Sequence, residues 1–236
     1  MNFFLDGLKL ITQPGLRQYV VIPIGINVMV LSGVIAYGVS QYDAWTTAFT
    51  DSLPSWLMFL SGVFSVLAAL LVLIIMLYLF TIIANIISAP FNAVLSIKIE
   101  QRETGRTPGG DTGLVVIVVR SLAREMAKLI YFLPRVIGLV IVTVIPGVNT
   151  LAPFLWVLFG AWMMSIQYVD YAADNNEVSF NDMRRLLERE RVQTVTFGLI
   201  VYVALAIPVL NLVLIPAAVA GGTLFWVHRL GRAPLV

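Results

Sequence analysis

An all-α integral membrane protein is the fold class this 236-residue chain predicts, on three observations. Hydrophobic residues make up 59% of it and charged residues only 12%, where a soluble domain carries about 25% charged. No Asp, Glu, Lys or Arg occurs between Asp51 and Lys98. Two later apolar runs, 136–169 and 195–227, are each interrupted at a Pro and each return to a basic segment. A helix crosses the hydrocarbon core with about 20 apolar residues. The pattern therefore predicts two long transmembrane helices, 20–39 and 56–87, and two helical hairpins that leave and re-enter one side. All of it reads as a single membrane domain, residues 1–236.

Residues 1–11 set Phe3, Phe4, Leu8 and Ile11 against Asp6 and Lys9, the pattern of a short helix in the headgroup region. Thr12, Gln13 and Pro14 then read as a helix start with Pro at the first helical position. The first crossing, 20–39, carries Pro23, Gly25 and Asn27 early. Residues 40–55 hold Asp43 and Asp51 but no basic residue, whereas Lys9 and Arg17 precede this crossing and all other Lys and Arg lie from Lys98 onward. By the positive-inside rule 40–55 is an outside loop and both flanks are cytoplasmic. Trp45 and Trp56 suit an interfacial aromatic belt.

The second crossing is longer than a bilayer needs. Residues 56–87 alone would make a helix of about 48 Å, an excess that tilt absorbs poorly. Its far half is expected to leave the lipid and pack on protein, continuing to about 106. Tyr78, Thr81, Asn85, Ser88 and Asn92 recur at steps of three and four and share one face. That face is either a hydrogen-bonding seam between helices or the wall of a hydrophilic path.

Residues 107–113 (TPGGDTG) form a turn-rich connector. Over 117–133, Arg120, Arg124 and Lys128 fall every fourth residue, a basic stripe on an amphipathic helix. Residues 136–148 are apolar for only about 13 residues, about 20 Å as a helix, which favours a hairpin that stops partway into the bilayer. The two hairpins (136–169 and 195–227) resemble each other: Ile145-Pro146-Gly147-Val148-Asn149 matches Ile207-Pro208-Val209-Leu210-Asn211. Paired interrupted segments point to a transport site, although Pro and Asn also cap tight turns.

Several chemistries are excluded or disfavoured. Cys is absent and His228 is the sole histidine, which removes disulfides, thiolate sites and multi-His metal centres. A net charge of +2 is too small to imply nucleic acid. No signal peptide is expected. No catalytic signature appears, so neither an enzyme nor a cofactor is expected; Glu100 and Glu103 read as salt-bridge partners of Arg102 and Arg106.

The sharpest local signal is Gly15-Leu16-Arg17 after Pro14. A helix N-terminus offers unpaired N–H groups and a positive dipole end. Gly15 admits an anion to the backbone, and Arg17 adds a planar fork of donors. Arg135 follows Pro134 at the first hairpin's mouth, where it either snorkels to the interface or extends a basic vestibule with Arg120, Arg124 and Lys128.

The strings LITQPGLRQYVVIPIGIN, ANIISAPFNAVLSIKIE, LPRVIGLVIVTVIPGVNTLAPFLWVLFGAWMMSIQYVDY and IPVLNLVLIPAAVAGGTLFWVHR occur here in that order. In these the chain resembles the CysZ sulfate permease family of bacteria over essentially its whole length. The resemblance implies an inner-membrane protein that takes up sulfate for cysteine biosynthesis. It also implies two long membrane helices, two hairpins penetrating partway from the cytoplasmic side, and a homo-oligomer. It places anion binding at Gly15, Leu16 and Arg17. Gln18, a neutral donor, stands where many members have a second basic residue. Sulfate would then follow a path of polar groups such as Asn27, Asn85 and Asn92, with membrane lipids as the other partner. Two rival readings are a non-transporting membrane scaffold that interacts with lipid and a membrane-embedded enzyme acting on lipid headgroups.

Overall fold

The computed structural model describes residues 2–52, 54, 61–109, 114–207 and 210–231. Among these, α1 is Phe3–Ile11, α2 Gln18–Asp51, α3 Ser61–Thr104, α4 Leu114–Val144, α5 Ala152–Asn175, α6 Phe180–Arg189, α7 Arg191–Ala204 and α8 Asn211–Phe225. No strand occurs among the described residues. Four helical stretches are long and apolar enough to cross a membrane: Gln18–Ala48, Ala123–Val144, Asn149–Asn175 and Asn211–Leu230. The chain is an all-α membrane protein.

It divides into two compact units, one of Met1–Val20 with Asn92–Val236 and one of Val21–Phe91. In the first unit α8 is the buried element. Ala217, Ala218, Val219, Ala220 and Phe225 are wholly buried. Small residues let its neighbours approach, as at membrane helix contacts generally. A Cβ on Gly7 of α1 would lie 2.5 Å from Gly221 N. One on Gly222 would overlap Tyr168 O of α5, and one on Gly198 of α7 would overlap Ala161 O of α5.

Helix α1 begins where Asn2 Oδ1 accepts from Leu5 N–H at 3.3 Å. Its apolar side is taken up by protein rather than left for lipid. Phe3 stacks on Phe225 at 5.0 Å, and Phe4, Leu10 and Ile11 are buried. The expected short helix packs on α8, which offers it a glycine-lined surface. Helix α6 is capped by Ser179 Oγ, which accepts from Asp182 N–H at 3.1 Å. It buries Met183, Leu186 and Leu187 on one stripe.

In the second unit α2 supplies one helix and α3 the other. Helix α2 runs unbroken to Asp51, so the expected outside loop from residue 40 is helical over most of its length. Hydroxyls satisfy the backbone there: Thr46 Oγ1 donates to Tyr42 O at 2.9 Å. The start of the second crossing at Trp56 lies outside the described residues. Helix α3 spans 44 residues, about 66 Å. Leu67, Leu70, Leu71 and Ile74 are exposed, whereas Leu95 and Ile99, in the first unit, are fully buried. Pro134 does not divide α4: residues 117–133 and the first limb of hairpin one are one helix. The turn at Pro146 and Gly147, with Gly147 at φ 86°, ends it. The matching Pro208-Val209 break lies outside the described residues.

Candidate anion site

Residues 12–17 form a tight turn between α1 and α2. Thr12 Oγ1 donates to Lys9 O at 2.8 Å. Gln13 N–H donates to Leu10 O at 3.1 Å. Gln13 O then accepts both Leu16 N–H at 3.2 Å and Arg17 N–H at 3.1 Å. Gly15 stands at φ 86° with nothing within 4 Å of where a Cβ would be. This left-handed residue explains a correction: the helix starts at Gln18, not Pro14, because a residue with positive φ cannot continue into a right-handed helix.

Leu16 is 4% exposed and anchors the turn, while Gly15, Arg17 and Gln18 are exposed. The Leu16 amide is used within the turn. Among the described residues, the Gly15 and Gln18 amides donate to no backbone acceptor and Arg17 pairs with no carboxylate. The turn therefore gathers free N–H groups, the Gln18 carboxamide, a guanidinium and the positive end of α2. Together these match the needs of a tetrahedral oxyanion.

The polar residues named for a path fall in both units. In the second unit Asn27 is fully buried and its Nδ2 donates to Ser88 Oγ at 3.2 Å. Its Oδ1 is buried with no hydrogen-bond partner among the described residues. The side chains of Thr81 and Asn85 lie outside those described. In the first unit Asn92 is buried at 3% exposure.

The basic stripe of α4 meets an acidic stripe on α5. Arg120 Nε lies 2.9 Å from Asp174, and its Nη1 lies 3.2 Å from Glu177. Arg124 grips Asp170 and donates to Val178 O at 2.6 Å. Lys128 Nζ stands 2.9 Å from Asp170 and 2.7 Å from Glu125. Arg124 and Lys128 are buried. Their charge is met inside the protein and offers a free anion little. The acids were visible in the sequence: Asp170, Asp174 and Glu177 recur at helical steps. Arg135 is different. It is exposed, and its guanidinium carbon lies 3.6 Å from the Tyr131 ring centroid.

Glu100 and Glu103 do not pair with Arg102 and Arg106 as expected. Glu103 lies 3.5 Å from His228 Nε2. Glu100 is buried and accepts from Asn176 Nδ2 at 2.6 Å. Burial pushes its carboxyl above the ordinary range, with the Asn176 hydrogen bond opposing. Beside it Ser96 Oγ accepts from Asn175 Nδ2 at 3.0 Å and bonds Thr223 Oγ1 at 2.9 Å. This buried polar cluster leaves no local signal in the sequence, where it is scattered over three helices.

The family described as Sulfate transporter CysZ/Etoposide-induced protein 2.4 matches residues 3–216. A protein of Pseudomonas syringae pv. tomato named Sulfate transporter CysZ is 48% identical over 99% of this chain and 94% of its own length. One of that name from Pseudomonas fluorescens is 50% identical over 98% of this chain and 94% of its own length. Another, from Pectobacterium atrosepticum, is 42% identical over 97% and 84%. With nearly its whole length matched at such identities, the chain belongs to the Sulfate transporter CysZ/Etoposide-induced protein 2.4 family.

Proposed function

We propose that the protein is a sulfate permease of the bacterial inner membrane, importing sulfate for cysteine biosynthesis, and not an enzyme. Sulfate is captured at the turn of residues 13–18 by the Gly15 and Gln18 amides, the Gln18 carboxamide and Arg17. It then moves along polar groups of the membrane helices, among them Asn27, Asn85 and Asn92. Sulfate and bilayer lipid are its partners, and a homo-oligomer is its working form. The observation that carries this reading is the open Gly15 turn, with unpaired amides and an unpaired guanidinium, in a chain whose relatives bear a sulfate transporter's name.

The test is uptake of labelled sulfate into proteoliposomes, alongside sulfate binding to the purified protein. Arg17→Ala removes a charge-assisted contact and is expected to weaken sulfate binding about tenfold or more. Uptake at low sulfate falls with it. Unchanged binding and uptake in this variant would reject the site. No flux in the unmodified protein would favour the scaffold reading, which the 14-residue α7 also suits.

A further inference from the structure

Helices α4, α5 and α6 build a second cationic feature that sulfate capture at the turn does not use. Its centre is Tyr131. The ring is held in place on several sides. Its hydroxyl accepts from Trp162 Nε1–H at 3.1 Å. Phe180 and Phe132 meet it edge-on at 5.8 and 5.5 Å. Over this fixed ring lies the Arg135 guanidinium, 3.6 Å from the centroid, with Nη1 donating to Tyr131 O at 2.6 Å. Arg184 of α6 brings a second guanidinium within 5.1 Å of the same centroid. Arg184 has a counter-charge in Glu188 at 3.3 Å. Among the described residues Arg135 has no carboxylate partner.

Two cations on one ring repel each other, and one of them lacks an internal counter-charge. A free snorkelling Arg would be mobile; this one is oriented by stacking and a backbone hydrogen bond, and among the described residues its other donors have no hydrogen-bond partner. Around it α4 is apolar and exposed. Ile130 is 70% exposed, Leu133 60% and Ile137 52%. The uncharged run 136–148 begins directly after Arg135. Tyr and Trp beside an Arg, at the point in α4 where the uncharged run begins, is the chemistry of the headgroup boundary.

We infer that Arg135, backed by Tyr131 and Arg184, is a binding site for the phosphate of an anionic phospholipid whose acyl chains lie along exposed α4. Charge complementarity favours an anionic over a zwitterionic headgroup. The exposed apolar side chains favour a lipid over a free oxyanion.

The test titrates the detergent-purified protein with dioleoylphosphatidylglycerol or dioleoylphosphatidylcholine, following thermal unfolding and lipid retention by native mass spectrometry. Phosphatidylglycerol is expected to stabilise at lower concentration than phosphatidylcholine. R135Q raises the half-saturating phosphatidylglycerol concentration about fivefold and leaves phosphatidylcholine unaffected. R135K keeps the charge without the planar fork and falls between R135Q and the unmodified protein. R17A leaves phosphatidylglycerol binding unchanged, which separates this site from the turn. Equal response to both lipids, or an R135Q titration matching the unmodified protein, overturns the inference. So does displacement of phosphatidylglycerol by excess sulfate, which would make Arg135 a free-oxyanion site.

Discussion

Gly15 does two things that another residue cannot do together. Its φ of 86° interrupts right-handed helix between α1 and α2, and its bare backbone faces open space. An alanine there would meet no neighbour, so its cost is conformational, about 1 kcal/mol. Gly15→Ala is expected to lower stability by that amount in thermal unfolding and to weaken sulfate binding by shifting the amides. Gly25→Ala is the matched control. It lies inside α2, also with open space around it, and there alanine is neutral or stabilising by up to about 1 kcal/mol. Glu100 gives a pH-dependent test at the same scale. Its carboxyl is raised by burial in the fold, so the native state prefers the protonated form. The stability it contributes is complete below the unfolded carboxyl's pKa and is lost as pH rises through the folded value. Wherever the group is ionised in the fold, it is a liability. Glu100→Gln keeps an acceptor for Asn176, and is expected to raise the melting temperature at pH 7.5 and flatten the decline above pH 4.5. A variant less stable than the unmodified protein at both pH extremes would reject this.

At the scale of elements, α4 and α5 are clamped by an antiparallel charge ladder: Arg120 with Asp174, Arg124 and Lys128 with Asp170. Asp170 is 6% exposed and serves two buried cations. Asp170→Asn leaves both short of counter-charge, at an expected loss of about 3–5 kcal/mol. Arg120→Gln acts nearer the surface and is expected to cost about 1 kcal/mol or less. Unfolding in detergent micelles compares the two, and equal losses would show that burial does not govern the ladder. The ladder also shows where sequence reading stopped. The basic stripe of α4 was legible from its four-residue step, but was read without the helix it faces. Asp170 marked the start of a polar segment in sequence, yet α5 carries on to Asn175. Pro134 looked like a boundary because proline removes a backbone donor, and the surrounding helix absorbs that loss. Polar residues after Ser40 looked like loop, although Tyr42 O receives the Thr46 hydroxyl and the helix continues. At the turn, Gly15 and Arg17 were legible because Pro-Gly and a following Arg are local features. The helix start was misplaced because φ is not written in composition. Glu100 with Asn176, and Ser96 with Thr223, are distant in sequence and needed coordinates.

For the whole molecule the open physical question is how far the hairpins reach. Helix α7 has 14 residues, about 21 Å, against a hydrocarbon core of about 30 Å. The apolar run 136–148 that leads to the first hairpin's tip is similarly short. Basic residues flank both hairpins and are absent between Arg17 and Lys98, a pattern from which the positive-inside rule predicts both hairpin bases on the cytoplasmic side. A partway hairpin would end its tip inside the bilayer, where turn carbonyls and amides survive only against protein or a water-filled cavity; the stretches Ala123–Val144 and Asn149–Asn175 are each long and apolar enough to cross. The chain lacks Cys, so a single introduced thiol is an unambiguous reporter. Ala44→Cys, at an exposed position of α2, is expected to react from the periplasmic side with a membrane-impermeant maleimide in intact spheroplasts. Arg185→Cys on exposed α6 is expected to react only after permeabilisation. Thr150→Cys, at the exposed tip between α4 and α5, distinguishes the two topologies. A hairpin that stops partway leaves it unlabelled from outside, while a spanning hairpin gives labelling equal to Ala44→Cys. The latter result would make α4 and α5 full crossings and would move any constriction in the sulfate path away from the hairpin tips.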